Sequence, residues 1–385
     1  MRKVAVIAIG YTKIKEHWNL SIRDLFTEAA ITALNEAAID RVDALYVGNM
    51  ASGYCQHQEH LGALMADYMG LKSPPAVKIE AADASGGMAL REGFQAVASG
   101  LHDFVVVGGV EKMSDVLTSD VTYAIAMGAD QEYEAFIGAT FAALSAMVKR
   151  IYQHKYHVSD ELIATLPVHC HEMASKNPYA QYPFKITVEQ VLSSPFVAEP
   201  LRLLECSSPG DGAAILILCP LEKARNFTDT PVEIAGVGAA TDTIALYQRD
   251  DLTTFKAIIE AANMAYKMAR VEPGEVDVAE IHDSFSITGI ISLEDLGFFE
   301  KGEAAKAIYE GEVAPGGKIA VNTFGGLKAR GHPAGATGIY QAVEIVKQLR
   351  GEAGKNQVDD AEIGLTQNVG GVGGTAIVHI FRRLR

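Results

Sequence analysis

Cysteine is scarce and scattered in this chain: Cys55, Cys170, Cys206 and Cys219, with no CxxC pair among them. That distribution excludes a disulfide framework and a zinc knuckle, and it implies free thiols in a reducing cytoplasm. Basic side chains are also few. With 33 Lys and Arg against 48 Asp and Glu, the formal net charge is -15. This excludes a nucleic-acid scaffold, although helix N-termini and local cations can still bind small anionic ligands. No apolar run approaches the roughly 18 residues of a membrane span. The opening segment 1–9 is too short for a secretory core and runs directly into Gly10, so it reads as a buried strand. The tandem His169-Cys170-His171 has no second ligand pair nearby, and neighbouring helical residues point roughly a third of a turn apart, so no metal site is expected.

What the chain has is apolar bulk in a regular order. Its 385 residues are 49% hydrophobic, enough for a large core and for two domains or two fused halves. Strands are predicted at 3–9, 43–47, 76–80 and 103–108, with helices near 21–38, 60–69 and 85–99 between them. A second series starts at Val232 and runs through 253–269, 276–281, 335–350 and 361–367, closing on an apolar strand at 375–381. The alternation predicts a parallel-rich α/β sheet. A constant offset of 249 residues carries Leu90, Phe94 and Val97 onto Ile339, Val343 and Val346, Gly86 onto Gly335, and Asp83 onto His332. The chain thus reads as one layout used twice, each copy placing a polar residue at the turn into a matching helix. The expected units are 1–230 and 231–385. Within the first, 118–205 is too long for a connection and too apolar for disorder, and it reads as a substrate-covering or interface insertion.

Several blocks then resemble one family. Gly108-Gly-Val-Glu-Lys-Met-Ser114, Glu205-Cys-Ser-Ser-Pro-Gly-Asp-Gly-Ala213 and Gly331-His-Pro-Ala-Gly-Ala-Thr-Gly338 are similar to thiolase motifs and stand in the family's order. The form His282-Asp-Ser-Phe285 is similar to the archaeal and sterol-carrier-type thiolases. The resemblance implies a thiolase-like fold, two duplicated βαβ halves in five layers, α-β-α-β-α, with the site at their junction. It also implies acyl-CoA substrates, coenzyme A as part of the substrate and no separate cofactor. A homodimer or tetramer follows, with 103–108 or its neighbourhood pairing across a two-fold axis. Archaeal relatives suggest a small zinc-ribbon/OB-fold partner and hydroxymethylglutaryl-CoA synthase. No nucleic-acid or membrane partner is expected.

Thiolase chemistry needs a nucleophile for the first acyl group, a base for the α-proton of the second, and donors for two oxyanions. By motif, Asp83 stands where the family has its nucleophilic cysteine, and Ser284 where these subfamilies have an acid/base cysteine. Neither Gln367 nor Asn368 supplies a thiol in the last block. The resemblance makes Asp83, His282, His332 and Ser284 the candidate catalytic residues. Asn368, Gly371, Gly373 and Gly326 are the candidates for oxyanion or substrate binding. A carboxylate attacks thioesters poorly, so the scaffold of an acetyl-CoA acetyltransferase is expected with altered or absent covalent acyl transfer. Three readings remain open: a cysteine-independent retro-aldol or retro-Claisen lyase, a thiolase deliberately inactivated at Asp83, and a non-catalytic acyl-CoA-binding subunit of a complex.

Overall fold

Short Val/Ile runs give strands because branched side chains pack well on a pleated surface, and the Ala-rich, amphipathic stretches between them give helices. The computed structural model describes residues 1–39 and 41–384. Its strands are β1 (Val4–Tyr11), β2 (Ala44–Gly48), β3 (Ala76–Ile79), β4 (Val105–Glu111), β5 (Phe196–Ala198), β6 (Leu201–Arg202), β7 (Gly212–Pro220), β8 (Val232–Thr241), β9 (Val278–Glu280), β10 (Ala320–Val321), β11 (Ile363–Gly370) and β12 (Thr375–Arg383).

Sheet order shows the repeat directly. The sheet runs β10-β9-β11-β12-β8-β1-β7-β4-β2-β3. Read outward from the middle, β1-β7-β4-β2-β3 and β8-β12-β11-β9-β10 have the same order and the same alternation of parallel and antiparallel neighbours. Within the sheet, among the described residues, the halves join where Val4–Val6 pairs with Val232–Ile234. The sheet is mixed, which corrects the parallel-rich expectation: β7 and β12 return antiparallel through the middle of each half. It also removes 103–108 as a pairing edge, because β4 is hydrogen-bonded on both sides, and the edge strand of that half is β3.

Alternation along each strand sorts the core into layers. One face of the first half (Ala5, Ile7, Leu45, Val106, Ile215) packs under the outer helix Ile22–Ala37. The opposite face (Val4, Val6, Val105, Leu216) meets inward side chains of the second half around two central helices, Ser85–Ala98 and Thr337–Arg350. The remaining face of the second half packs under the helices Lys256–Ala269 and Ser286–Asp295. This is the five-layer α-β-α-β-α arrangement. Leu90, Phe94, Val97, Ile339, Val343 and Val346 are all buried between the halves.

Segment 118–205 leaves the sheet as the helices Thr118–Ala126, Phe141–Tyr156, Thr165–Ala174 and Val188–Ser193 and the hairpin β5–β6. Its Phe141, Leu144, Val148 and Leu166 join the core of the second half, so the segment lies across the molecule as a packed layer. No helix of the described residues is long and apolar enough to cross a membrane. His169, Cys170 and His171 bond three separate groups: Val321 O, the Asp283 carboxylate and Phe184 O.

Candidate active site

The central helices approach closely because their first turns are built from glycine. A Cβ at Gly86 would lie 2.8 Å from Gly335 O, and one at Gly338 would lie 2.3 Å from Gly87 N. Just before each helix the backbone turns through the left-handed region, at Ala82 (φ 51°) and at Gly331 (φ 110°), again 249 positions apart. Ser85 locks the first turn, its Oγ donating to Ala82 O and accepting from Ala81 N. A left-handed alanine costs roughly 1–2 kcal/mol, and such strain concentrates at functional positions. The two turns deliver Asp83 and His332 to each other, with Nε2 of His332 3.2 Å from Oδ1 of Asp83.

Protons on this pair follow from the surrounding hydrogen bonds. The Thr337 hydroxyl donates to Pro333 O, so toward Nδ1 of His332, 2.7 Å away, it is the acceptor, and Nδ1 carries a proton. Nε2 faces Oδ1 of the Asp83 carboxylate within hydrogen-bonding distance. Oδ2 accepts from Gly371 N at 3.2 Å. Burial pushes the Asp83 carboxyl up, but the His332 hydrogen bond and charge, helped by the Gly371 N–H, hold it below the ordinary carboxylate range. The pair is a buried carboxylate hydrogen-bonded to an imidazole, at the N-terminus of a helix whose dipole favours negative charge.

His282 stands behind it, its ring meeting that of His332 edge to face with centroids 5.3 Å apart. Asn368 Nδ2 donates to its Nδ1 at 3.1 Å, which places the ring proton on Nε2, and Nε2 has no partner among the described residues. Burial first, then the charge of His332, pushes the His282 imidazole down to about 3, so it is neutral. Nε2 of the buried His171 and His379 is likewise unpartnered among the described residues, and what sets His282 apart is its contact with the His332 ring. Gln367 Oε1 fixes the backbone at His282 N.

Four of the expected residues therefore meet around one wall. Asp83, His332 and Ser284 line a cavity of about 400 Å³ with Ile125, Phe141, Leu203, Cys206, Ser207 and Phe285. The Ser284 and Ser207 hydroxyls make no hydrogen bond among the described residues, whereas His282 lies just behind the lining. Three expectations are corrected. Asn368 is a positioning residue and not an oxyanion donor, because its amide bonds Gly87 N, Asp83 O and His282 Nδ1. Gly326 is packed against Asp283, whose carboxylate accepts from Leu327 N and Lys328 N, and it does not line the cavity. Gly373 serves the turn after β11, with φ 82° and its open side against Phe255. Gly371 reaches the site through its N–H, already engaged by Asp83.

Sequence reasoning missed Thr337, although it stands inside the quoted glycine-rich block, and it missed Cys206 as a wall of the cavity. Burial pushes the Cys206 thiol up to about 12, and its Sγ donates to Arg202 O, so it is not a nucleophile at neutral pH. The buried pair of Lys149 Nζ and Glu205 Oε1, 2.7 Å apart, anchors this wall from behind.

Comparison with known proteins agrees with this geometry. Residues 4–222 match the Thiolase, N-terminal domain family, and residues 238–383 match Thiolase C-terminal domain-like. The chain is 54% identical to an acetyl-CoA acetyltransferase of Methanothermobacter thermautotrophicus over the full length of both, and 49% identical to one of Methanocaldococcus jannaschii over 99% of each. Among solved structures it is similar to the Ltp2-ChsH2(DUF35) aldolase, with a TM-score of 0.84 and 25% identity over 98% of this chain and 97% of that one. With both halves matched and the motif residues gathered at their junction, the chain belongs to the thiolase family.

Proposed function

We propose that this protein makes or breaks a carbon–carbon bond in an acyl-CoA without a covalent acyl-enzyme, in the manner of a retro-aldol or retro-Claisen lyase. The observation that carries the reading is the Asp83–His332 pair on the cavity wall, a base hydrogen-bonded to an imidazole where the family's cysteine is expected. If Asp83 attacked a thioester, the tetrahedral intermediate would expel the carboxylate, a far weaker base than a thiolate, and revert. A base role has no such defect. Asp83 would take the proton of a β-hydroxyl (or activate water on a β-ketone), and the bond to the α-carbon would break. The thioester enolate oxygen would be held by His282 Nε2–H, and the proton would return to the α-carbon. Both similar acetyltransferases are named for acetyl-CoA, and the similar solved structure is named an aldolase.

The test incubates purified protein with β-hydroxyacyl-CoA and, separately, with acetoacetyl-CoA plus CoA, following products by mass. The expected products of the first arm are a shorter acyl-CoA and a carbonyl compound with no free thiol. Efficient thiolysis in the second arm, with an acyl group retained on the protein, overturns the reading. The aldolase name also joins a DUF35 component to the thiolase-like one. A partner of that kind, with self-association into a homodimer or tetramer, completes the proposal, and both are measured by co-purification and light scattering.

A further inference from the structure

We propose that the same site hydrolyses acyl-CoA thioesters, with Asp83 as the general base that activates a water held in the cavity beside it. The inference rests on the acyl-thioester part of the preceding reading and not on its carbon–carbon step.

Three observations carry it. Asp83 sits on the wall of a cavity with room for a thioester and water together, about 400 Å³. The same wall carries the hydroxyls of Ser207 and Ser284, neither hydrogen-bonded among the described residues; with the carboxylate, they supply the several polar partners that an ordered water needs. His282 Nε2–H, buried behind the lining beside His332 and without an acceptor among the described residues, is the type of donor that a tetrahedral oxyanion requires. The apolar side chains Ile125, Phe141, Leu203 and Phe285 suit an aliphatic acyl chain.

Atoms balance without a co-reactant other than water. The water oxygen bonds to the thioester carbon while its proton passes to Asp83, and the carbonyl electrons move onto the carbonyl oxygen. Collapse breaks the carbon–sulfur bond, the thiolate takes the proton from Asp83, and the products are a carboxylic acid and free CoA. His332 keeps its own proton throughout and holds the carboxylate in place.

The experiment uses hexanoyl-CoA, which has no β-oxygen and cannot undergo aldol or Claisen cleavage. Full-length protein in ¹⁸O-water should release thiol, with one solvent oxygen in each hexanoic acid. Under single-turnover conditions the peptide carrying Asp83 should remain unlabelled. Asp83→Asn should lower the rate on the order of 10²–10⁴-fold, the usual loss for one general base, and Ser284→Ala should lower it less while leaving thermal unfolding unchanged. Thiol release no faster than in buffer, an unchanged rate in Asp83→Asn, or label in the Asp83 peptide overturns the proposal. The first two outcomes leave carbon–carbon cleavage of β-hydroxyacyl-CoA standing, so the readings fail separately.

Discussion

The turn at Ala82-Asp83 and the turn at Gly331-His332 share a left-handed residue followed by a polar one and a glycine-rich helix start, yet they meet different demands. The second uses glycine for the strained position and fixes its histidine through Thr337. The first forces alanine into the same region and holds its aspartate through a loop of the opposite half, at Gly371. Each turn is also tied to the opposite half, the second through His332 N to Ser208 O and Gly335 N to Glu111 Oε2, the first through Gly371 N to Asp83 Oδ2. A duplicated backbone thus carries a histidine on an unstrained glycine turn and a carboxylate on a strained alanine turn.

Exchanging the chemistry of the strained turn is the sharpest way to break this contrast. Asp83→Cys is expected to take up an acyl group from acetyl-CoA, visible by intact mass, because His332 and the helix N-terminus remain to activate the thiol. Turnover should stay on the order of 10²–10⁴-fold below that of the Asp83→Cys, Ser284→Cys double variant, since Ser284 is a weak acid/base. A single variant that turns over at about 10 s⁻¹, an ordinary enzyme rate, removes the argument from Ser284.

The shared close approach of the turns is tested next. At Gly338 an added Cβ would lie 2.2 Å from Asn368 Oδ1 and 2.3 Å from Gly87 N. Gly338→Val should destabilise the protein by about 3 kcal/mol or more in denaturant titration. Gly274→Ala, where a Cβ meets nothing within 4 Å, should change stability by less than about 0.5 kcal/mol.

The Gly331-His332 turn should tolerate more. Thr337→Val removes the acceptor for His332 Nδ1, and kcat is expected to fall roughly five- to tenfold, the worth of one hydrogen bond. The pH profile should shift while KM holds. An unchanged profile means Thr337 has no part in setting the proton.

Acid stability compares the site with the core. Burial lowers both His282 and His379 from 6.5 to about 3. In each case the unfolded chain protonates first, so stability is full above pH 6.5 and falls as pH drops from there toward 3. The slope should reach at most about 1.4 kcal/mol per pH unit for each histidine. His379→Phe should make the acid limb shallower in pH-dependent thermal unfolding without affecting catalysis; an equally steep limb contradicts the assignment.

Much of this was legible in the chain because the fold repeats a simple pattern. The strands and helices of the first 110 residues fall within a few positions of the hydrophobic periodicity, and the offset of 249 anticipated the two residues that meet. The three-residue β9 and two-residue β10 are too short to show a period, and β7 reads as a continuous apolar run inside a motif block. Gly326 and Gly373 were legible as turns but not as to which side they face. Asn368 shows its side-chain valences only once Gly87, Asp83 and His282 surround it. Cys206 joins the cavity through packing of the 118–205 segment, which no local pattern reports.

The narrow join between the halves has a kinetic meaning. Among the described residues three pairs, Val4–Val6 with Val232–Ile234, link the two halves of the sheet, while the central helices that each half must cover are contributed one apiece. Contacts across such sequence distances form late, because closing the loop comes before its reward. The Asp83–His332 hydrogen bond joins residues 249 positions apart. During synthesis the first half emerges before His332 has been made, so Asp83 gains this partner only when the second half docks.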